Sequence, residues 1–184
     1  MKSDSLSFEN YRGYLTVMAE AQLDERLQAK VSAEDIVQQV LVKAEAGAAE
    51  LRDLNTGTVM AWLRSILTHE LADTIKYFYR SRRNVAREVN VGNDVDQSAA
   101  GLEAWLNADI TSPSQAASRN EEMLRLTKAL LTLPEDVRQV VVMKHLKNMQ
   151  LREISEATNR SVASVAGLLR RGLAKLRQIL ESNN

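Results

Sequence analysis

The chain has 184 residues, of which 45% are hydrophobic and 26% charged, with 24 basic and 24 acidic side chains. These values are ordinary for a globular protein of one medium or two small domains, and they exclude a wholly disordered chain. Because there is no cysteine, disulfides and thiolate metal sites are excluded. The N-terminus is polar, and no apolar run approaches the roughly 20 residues that span a bilayer. The sequence therefore predicts a cytoplasmic protein with no membrane segment of its own.

The first half of the chain has the periodicity of helices. Only seven Gly and two Pro interrupt it. Apolar residues recur at spacings of three and four from Tyr14 to Leu27. Ser32 is a predicted N-cap for a second helix, with Asp35 at its third position and an end near Gly47. Residues 52–58 read as a loop, and a long helix is predicted over 59–79.

The composition changes near Ser81. Residues 84–120 are acidic, rich in Asn, Ser, Ala and Gly, and weakly periodic. They read as a linker with at most one short helical turn at 102–106. Trp105, with Leu102 and Leu106, is an apolar spot in this segment. It could contact a partner, or form a local turn packed on either neighbouring domain.

The last third of the chain predicts a helix-turn-helix. A helix begins near Glu121, and Pro134 marks a fresh helix start. The run Val140–Val142 has strand propensity, but its helical neighbours favour a helix. Residues 151–158 form a short helix, Asn159 and Arg160 break it, and Ser161 caps a final helix that ends near Leu180. We therefore predict an all-α fold of two small helical domains (1–83 and 121–184) joined by a flexible linker (84–120).

The final helix predicts a DNA-binding surface. At 100° per residue, one arc contains the expected core face, namely Val162, Val165, Leu169, Leu173, Leu176 and Leu180. The side of the helix opposite this arc carries small residues and Arg171, with Arg170 and Lys175 beside them. Because these side chains are small, the helix backbone could approach the floor of a major groove. Residues 160–177 contain five basic residues and no acidic one, which is unusual for a merely solvated helix face. The alternative to a DNA-binding surface is that this helix belongs to an ordinary bundle and that its basic face is only solvated.

A second candidate surface is the basic and aromatic segment 76–83. It contains three of the six Tyr and Phe residues beside five cations. Aromatic rings stack on unpaired bases while cations bind phosphates, so the segment is a candidate for single-stranded DNA. The alternative is that Phe78 and one Tyr close a helical core.

The order of these motifs resembles that of extracytoplasmic-function (ECF) sigma factors of bacterial RNA polymerase. The resemblance runs from about Leu15 to Leu180. It rests on Ala33–Ala44 (AEDIVQQVLVKA), Ala61–Leu67 (AWLRSIL), the segment 76–83, Leu130–Arg138 (LLTLPEDVR) and the helix-turn-helix. It implies a sigma factor that binds core RNA polymerase and directs promoter-specific initiation, recognising −10 and −35 elements and melting the promoter. Its partners would be the polymerase, double- and single-stranded promoter DNA and, commonly in the family, an anti-sigma factor.

The resemblance, together with the two candidate surfaces described above, gives three sets of site residues. The polymerase-binding residues would be Asp35, Val37, Gln38, Gln39 and Leu41. The −10 surface would comprise His69, Asp73, Lys76, Tyr77, Arg80, Arg82 and Arg83. The −35 surface would comprise Arg160, Ser164, Ala166, Gly167, Arg170, Arg171 and Lys175. Gln39, His69, Ala166 and Gly167 depart from the residues commoner in the family, so the promoter sequence does not follow from the resemblance.

Other classes of protein are alternatives to this one. A dimeric helix-turn-helix repressor explains residues 121–184 but neither of the other two motifs. An adaptor or anti-sigma protein would not need the basic final helix. The sequence predicts no enzyme, cofactor or metal site, because His69 and His145 have no ligand-type spacing and no phosphate loop or nucleophile motif is present.

Overall fold

The computed structural model of the chain describes residues 8–47, 55–80, 91–106 and 116–182. Within these ranges every regular element is helical, which confirms the all-α prediction. The chain divides into two compact units, residues 1–96 and 97–184. In the described ranges, no helix combines the length and apolarity needed to cross a membrane.

The first unit is built on three packed helices. A 3₁₀ turn at Phe8–Tyr11 precedes α1 (Arg12–Gln22), α2 (Glu25–Gln28), α3 (Ala33–Gly47) and α4 (Thr56–Arg80). The single predicted helix over Tyr14–Leu27 is in fact two, because the backbone of Leu23 is extended and the carboxylate of Asp24 accepts the Leu27 N–H at 2.9 Å. The helix predicted from residue 59 begins at Thr56, where the Asn55 side chain caps it by accepting the Thr58 N–H at 3.0 Å.

The core of the first unit lies where α1, α3 and α4 meet. Leu15, Val37 and Leu67, one from each helix, are completely buried. Burial of apolar side chains of this size supplies most of the driving force for the packing. A hydrogen bond also joins two of these helices: the Arg64 Nη1 on α4 donates to the Tyr14 hydroxyl on α1 at 3.0 Å. These contacts fix which faces of α3 and α4 remain in solvent.

The segment predicted as a linker contains a 15-residue helix. This helix, α5 (Val91–Trp105), ends within the short turn expected at 102–106. The division between the two units falls within it, after Asp96. In the first unit, Val95 is completely buried and the Gln22 Nε2 donates to the Asp94 carbonyl at 3.4 Å. The many small residues of α5 weaken the apolar periodicity of this segment. The sequence therefore predicted only a short helical turn where the structure has 15 helical residues.

The second unit contains the end of α5 and four further helices. They are α6 (Ala116–Leu131), α7 (Glu135–His145), α8 (Leu151–Ala157) and α9 (Val162–Ser182). As predicted, Pro134 precedes a helix start, and Val140–Val142 are helical. Leu130, Val141 and Ile154 are completely buried and form part of the core. The packing of α9 against α6, α7 and α8 holds the helix-turn-helix as one body.

The end of α5 packs tightly within the second unit. A β-carbon built on Gly101 would lie 2.7 Å from the Leu146 carbonyl oxygen and 2.8 Å from that of His145. Only glycine therefore permits this approach. Trp105 is 4% exposed and stacks on the His145 ring, with centroids 4.2 Å apart. Leu102 and Leu106 are also buried. Of the two interpretations of this apolar spot, the packed one is correct, and these side chains are not exposed for a partner.

Candidate nucleic-acid interface

The helix-turn-helix is formed by α8 and α9 with residues 158–161 between them. The N-terminus of α8 has a capping box, in which the Gln150 N–H donates to the Glu153 carboxylate at 2.6 Å. The chain reverses at Asn159, whose φ of 50° lies in the left-handed region that asparagine tolerates better than most residues. The Ser161 hydroxyl oxygen then accepts the Ser164 N–H at 3.2 Å and caps α9, as predicted.

The turn also fixes the position of Arg160. Its backbone N–H donates to the Ser155 carbonyl at 3.1 Å, and the Ser155 hydroxyl donates to the Arg160 carbonyl at 2.5 Å. Its guanidinium lies 3.6 Å from the Asp136 carboxylate, and both side chains are almost half exposed. An exposed pair of this kind contributes little to stability. The ion pair places the Arg160 guanidinium at the N-terminus of α9 and leaves it accessible to solvent.

The buried face of α9 differs from the predicted one. Its buried residues are Val165, Leu168, Gly172 and Leu176. This face is rotated by about 60° from the predicted arc, at 100° per residue. Val162, predicted to be in the core, is 45% exposed and was wrongly assigned.

The cause of this difference is a glycine. A β-carbon on Gly172 would lie 2.8 Å from a methyl carbon of both Val137 and Val141 on α7. α9 therefore packs most closely against α7 at a position with no side chain. A reading based on large apolar residues cannot detect such a position.

The rotated helix exposes most of the predicted −35 residues. Arg160, Ser164, Ala166, Arg170, Arg171 and Lys175 are exposed, and Gly167 is partly exposed. Arg170 now lies near the middle of the exposed face, together with Arg177, which the sequence reading did not include. The spacing of seven residues between Arg170 and Arg177 is the signal that could have identified it. The result is a face with four cations from Arg170 to Arg177 and no carboxylate.

The predicted −10 residues lie on the second half of α4 and beyond it. His69, Asp73, Lys76 and Tyr77 are exposed, and Tyr77 is 74% exposed. Its ring meets the edge of Phe78, with centroids 5.3 Å apart at 89°, while the Lys30 Nζ lies 5.7 Å from the Phe78 centroid. Phe78 is thus held by its neighbours, and Tyr77 presents a ring to solvent. Arg80 is the last residue of α4, and Arg82 and Arg83 lie outside the described residues.

The predicted polymerase-binding residues separate into two groups on α3. Asp35, Gln38 and Gln39 are exposed, and the Ser32 hydroxyl oxygen accepts the Asp35 N–H at 3.0 Å, as the predicted cap requires. Val37 and Leu41 are 0% and 4% exposed. These two side chains stabilise the helix from the core and do not present a surface to a partner, which corrects their assignment as contacts.

Val42 is an exposed apolar residue that the sequence reading missed. It is 56% exposed and lies seven residues after Asp35, on the same face as Gln38 and Gln39. Beside it, Lys43 forms an ion pair with Glu70 of α4. This hydrogen bond raises the pKa of Lys43, with a further contribution from the charge of Glu70. Asp35, Gln38, Gln39 and Val42 form the exposed strip of α3. The ion pair of Lys43 links this strip to α4 near His69 and Asp73.

Two comparisons with known proteins agree with this arrangement. The family model for sigma-70, region 4 matches residues 123–176, which include α8 and most of α9. The chain is 28% identical over 153 residues to the ECF RNA polymerase sigma factor SigW of Bacillus subtilis (strain 168). That similarity covers 80% of this chain and 75% of the relative. Both similarities are to sigma factors, one over residues 123–176 and the other over most of the chain, in agreement with the resemblance to ECF sigma factors that the motifs indicate.

Proposed function

We propose that this protein binds core RNA polymerase and directs it to promoters through contacts with both a −35 and a −10 element. The observation that carries the proposal is the exposed cationic face of α9, three of whose four cations lie within the segment that matches sigma-70, region 4. Four cations without a carboxylate suit a polyanion. The whole chain is neutral, so its free affinity for random DNA should be low, and specificity should arise in the complex with polymerase.

The −35 contact would come from α9 in the major groove. Arg171 and Arg170 are the candidates for a guanine edge or a phosphate, since a guanidinium can donate two parallel hydrogen bonds. Arg160, Lys175 and Arg177 would bind phosphates on either side. Gly167 supports a close approach because it has no side chain, and the space that a β-carbon would occupy is open apart from its own stretch of helix. A glycine within a helix lowers stability, and nothing inside the protein requires it here.

The −10 contact would come from the end of α4 and the residues after it. Tyr77 offers an exposed ring on which an unpaired base can stack, and Lys76 lies beside it. Asp73 lies one turn and His69 two turns before Tyr77 on α4, where a flipped base could be bound. Arg80, Arg82 and Arg83 add charge for the strand's phosphates. Capturing an unpaired base couples recognition to melting, because flipping costs least once the pair is open.

The polymerase contact would be the exposed strip of α3, formed by Asp35, Gln38, Gln39 and Val42. A valine that is 56% exposed among polar side chains is suited to a small apolar contact with a polar rim. The Arg12 Nη2 donates to the Gln38 Oε1 at 2.8 Å, which orients that amide.

The functional regions follow the predicted domains with one change. Residues 1–83 would provide the polymerase and −10 contacts, and 121–184 the −35 contact. The predicted linker, 84–120, would follow the nucleic-acid path of the polymerase. Residues 97–106 pack against the −35 unit in the free chain, so they would have to detach to take that path. An anti-sigma factor remains a proposed partner and would have to use surfaces other than Trp105.

Two variants with opposite expected defects test this assignment. Arg171→Ala should lower promoter-specific transcription about tenfold or more, the value of one good base or phosphate contact, while core polymerase binding stays unchanged. Val42→Asp should weaken polymerase binding and leave the isolated chain folded, because the side chain is exposed. Co-purification with core polymerase and run-off transcription measure the two properties separately. Loss of polymerase binding by Arg171→Ala, or unchanged polymerase binding by Val42→Asp, would contradict the proposal.

A further inference from the structure

The first two turns of α9 present an exposed apolar surface. Val162, in the first turn, is 45% exposed, whereas the other large apolar side chains of α9 are buried or partly buried. A single exposed valine is common on protein surfaces and would carry no argument elsewhere. Here it lies at the N-terminal end of the second helix of a helix-turn-helix, where side chains meet base edges.

The residues around Val162 lack the groups that read bases by hydrogen bonds. From Ser161 to Leu169 there is no Arg, Lys, Asn, Gln, Asp or Glu. The Ser161 hydroxyl oxygen already accepts the Ser164 N–H as the helix cap. Ala163 and Ala166 are exposed and offer only methyl groups. Apart from two serine hydroxyls, the chemistry available to a base is therefore apolar.

Gly167 and the exposed alanines would bring this surface close to the bases. Apart from its own stretch of helix, no atom of the protein lies within 4 Å of a β-carbon built on Gly167, so the space beside it is open. Arg170 and Arg171 follow within one turn and can bind the DNA beside this surface. Of the groups in the major groove, the 5-methyl of thymine is the one that an apolar side chain recognises.

We propose that Val162 contacts the 5-methyl group of a thymine in the −35 element, so that this protein selects one A·T pair by apolar contact. The inference rests on the proposed function, in which α9 enters the major groove. It adds a specificity-determining residue and names the base that this residue reads. Loss of one such methyl contact should reduce binding about fourfold, from the free energy of burying one methylene-sized group.

The experiment uses the full chain with core polymerase on a promoter found by transcribing fragmented genomic DNA. Each thymine of the −35 element, on either strand, is replaced in turn by deoxyuridine, which removes only the 5-methyl group. With the native chain, we expect one replacement to lower the yield of open complex about fourfold. With Val162→Ala, the same replacement should have no effect, because the methyl group has already lost its partner.

Two further variants make the result specific. Val162→Thr keeps the shape of the side chain but places a hydroxyl where a methyl was, and should show a reduced response to deoxyuridine. Val42→Ala is the same truncation on α3. It should lower the yield on thymine and deoxyuridine templates by the same factor and preserve their ratio.

Three outcomes would overturn the inference while leaving the proposed function intact. They are a −35 element with no A·T pair, no response of the native chain to any deoxyuridine, or an unchanged response in both Val162 variants. Failure to obtain discrete starts with the native chain would instead remove the proposed function, and the inference with it.

Discussion

The indole ring of Trp105 stacks on the imidazole ring of His145, with centroids 4.2 Å apart and planes inclined by 18°. This contact joins the end of α5 to the end of α7, just before the helix-turn-helix. Trp105 is 4% exposed, and Gly101 allows the α5 backbone to approach the His145 and Leu146 carbonyls. Residues 97–106 are thus part of the folded second unit.

Replacing Trp105 tests that contact. Trp105→Ala should lower the free energy of unfolding of the second unit by about 3 kcal/mol, the usual cost of truncating a large buried aromatic side chain. Urea unfolding followed by circular dichroism measures the change. Glu103→Ala, at an exposed position in the same turn, should change stability little. Similar values for the two variants would show that Trp105 does not pack there in solution.

Gly172 provides a second test of packing. Its missing β-carbon would lie 2.8 Å from methyl carbons of Val137 and Val141. Gly172→Ala should therefore destabilise the protein by about 1–3 kcal/mol, as overpacking usually does, although alanine favours helix. Thermal unfolding of the full chain measures the loss. A more stable variant would contradict the observed approach of α9 to α7.

Gly167 should respond in the opposite direction. The space beside it is open, so Gly167→Ala should stabilise the protein by about 0.5–1 kcal/mol through helix propensity alone. The same change should weaken binding to the −35 element, because the added methyl group keeps the backbone away from the bases. Thermal unfolding and promoter binding are measured on one preparation. Unchanged promoter binding would contradict the proposal that Gly167 lets the helix backbone approach the bases.

The N-terminal ion pair predicts a specific dependence on pH. The Arg12 guanidinium donates two 2.7 Å hydrogen bonds to the Glu9 carboxylate, and these lower the pKa of Glu9 below 4.5. A lowered carboxyl pKa stabilises the fold above the unfolded pKa, and this contribution disappears as the pH falls through the folded pKa. Arg12→Gln should raise the Glu9 pKa and reduce the loss of stability below about pH 4.5.

Carboxyl resonances followed by NMR measure the Glu9 titration in both proteins. The difference between them should shrink at high salt, because Glu9 is exposed and its charge is screened. An identical Glu9 pKa in both proteins would show that the pair does not form in solution.

Where the sequence carried a local signal, it predicted the structure well. Ser32, Ser161 and Pro134 mark helix starts by a hydrogen bond or a fixed φ, and the structure has helices there. These signals need no knowledge of the tertiary fold. The boundaries of the helix-turn-helix followed from them, whereas most site residues were assigned by the resemblance.

The errors occur where packing depends on the absence of a side chain. Gly172 rotates the buried face of α9, and Gly101 lets α5 pack in a segment with weak periodicity. Neither glycine contributes to an apolar pattern. Val37 and Leu41 were assigned as contacts by resemblance, which carries residue positions but not their burial. Val42 was not predicted, because its exposure also cannot be inferred from the resemblance.

The most direct test of the central claim is transcription from a fragmented genomic library by core RNA polymerase supplied with this protein. We predict discrete transcript starts that depend on the protein and share upstream sequences at a fixed spacing. Absence of polymerase binding and of discrete starts, with binding of palindromic DNA by a dimer, would contradict the assignment and indicate a repressor.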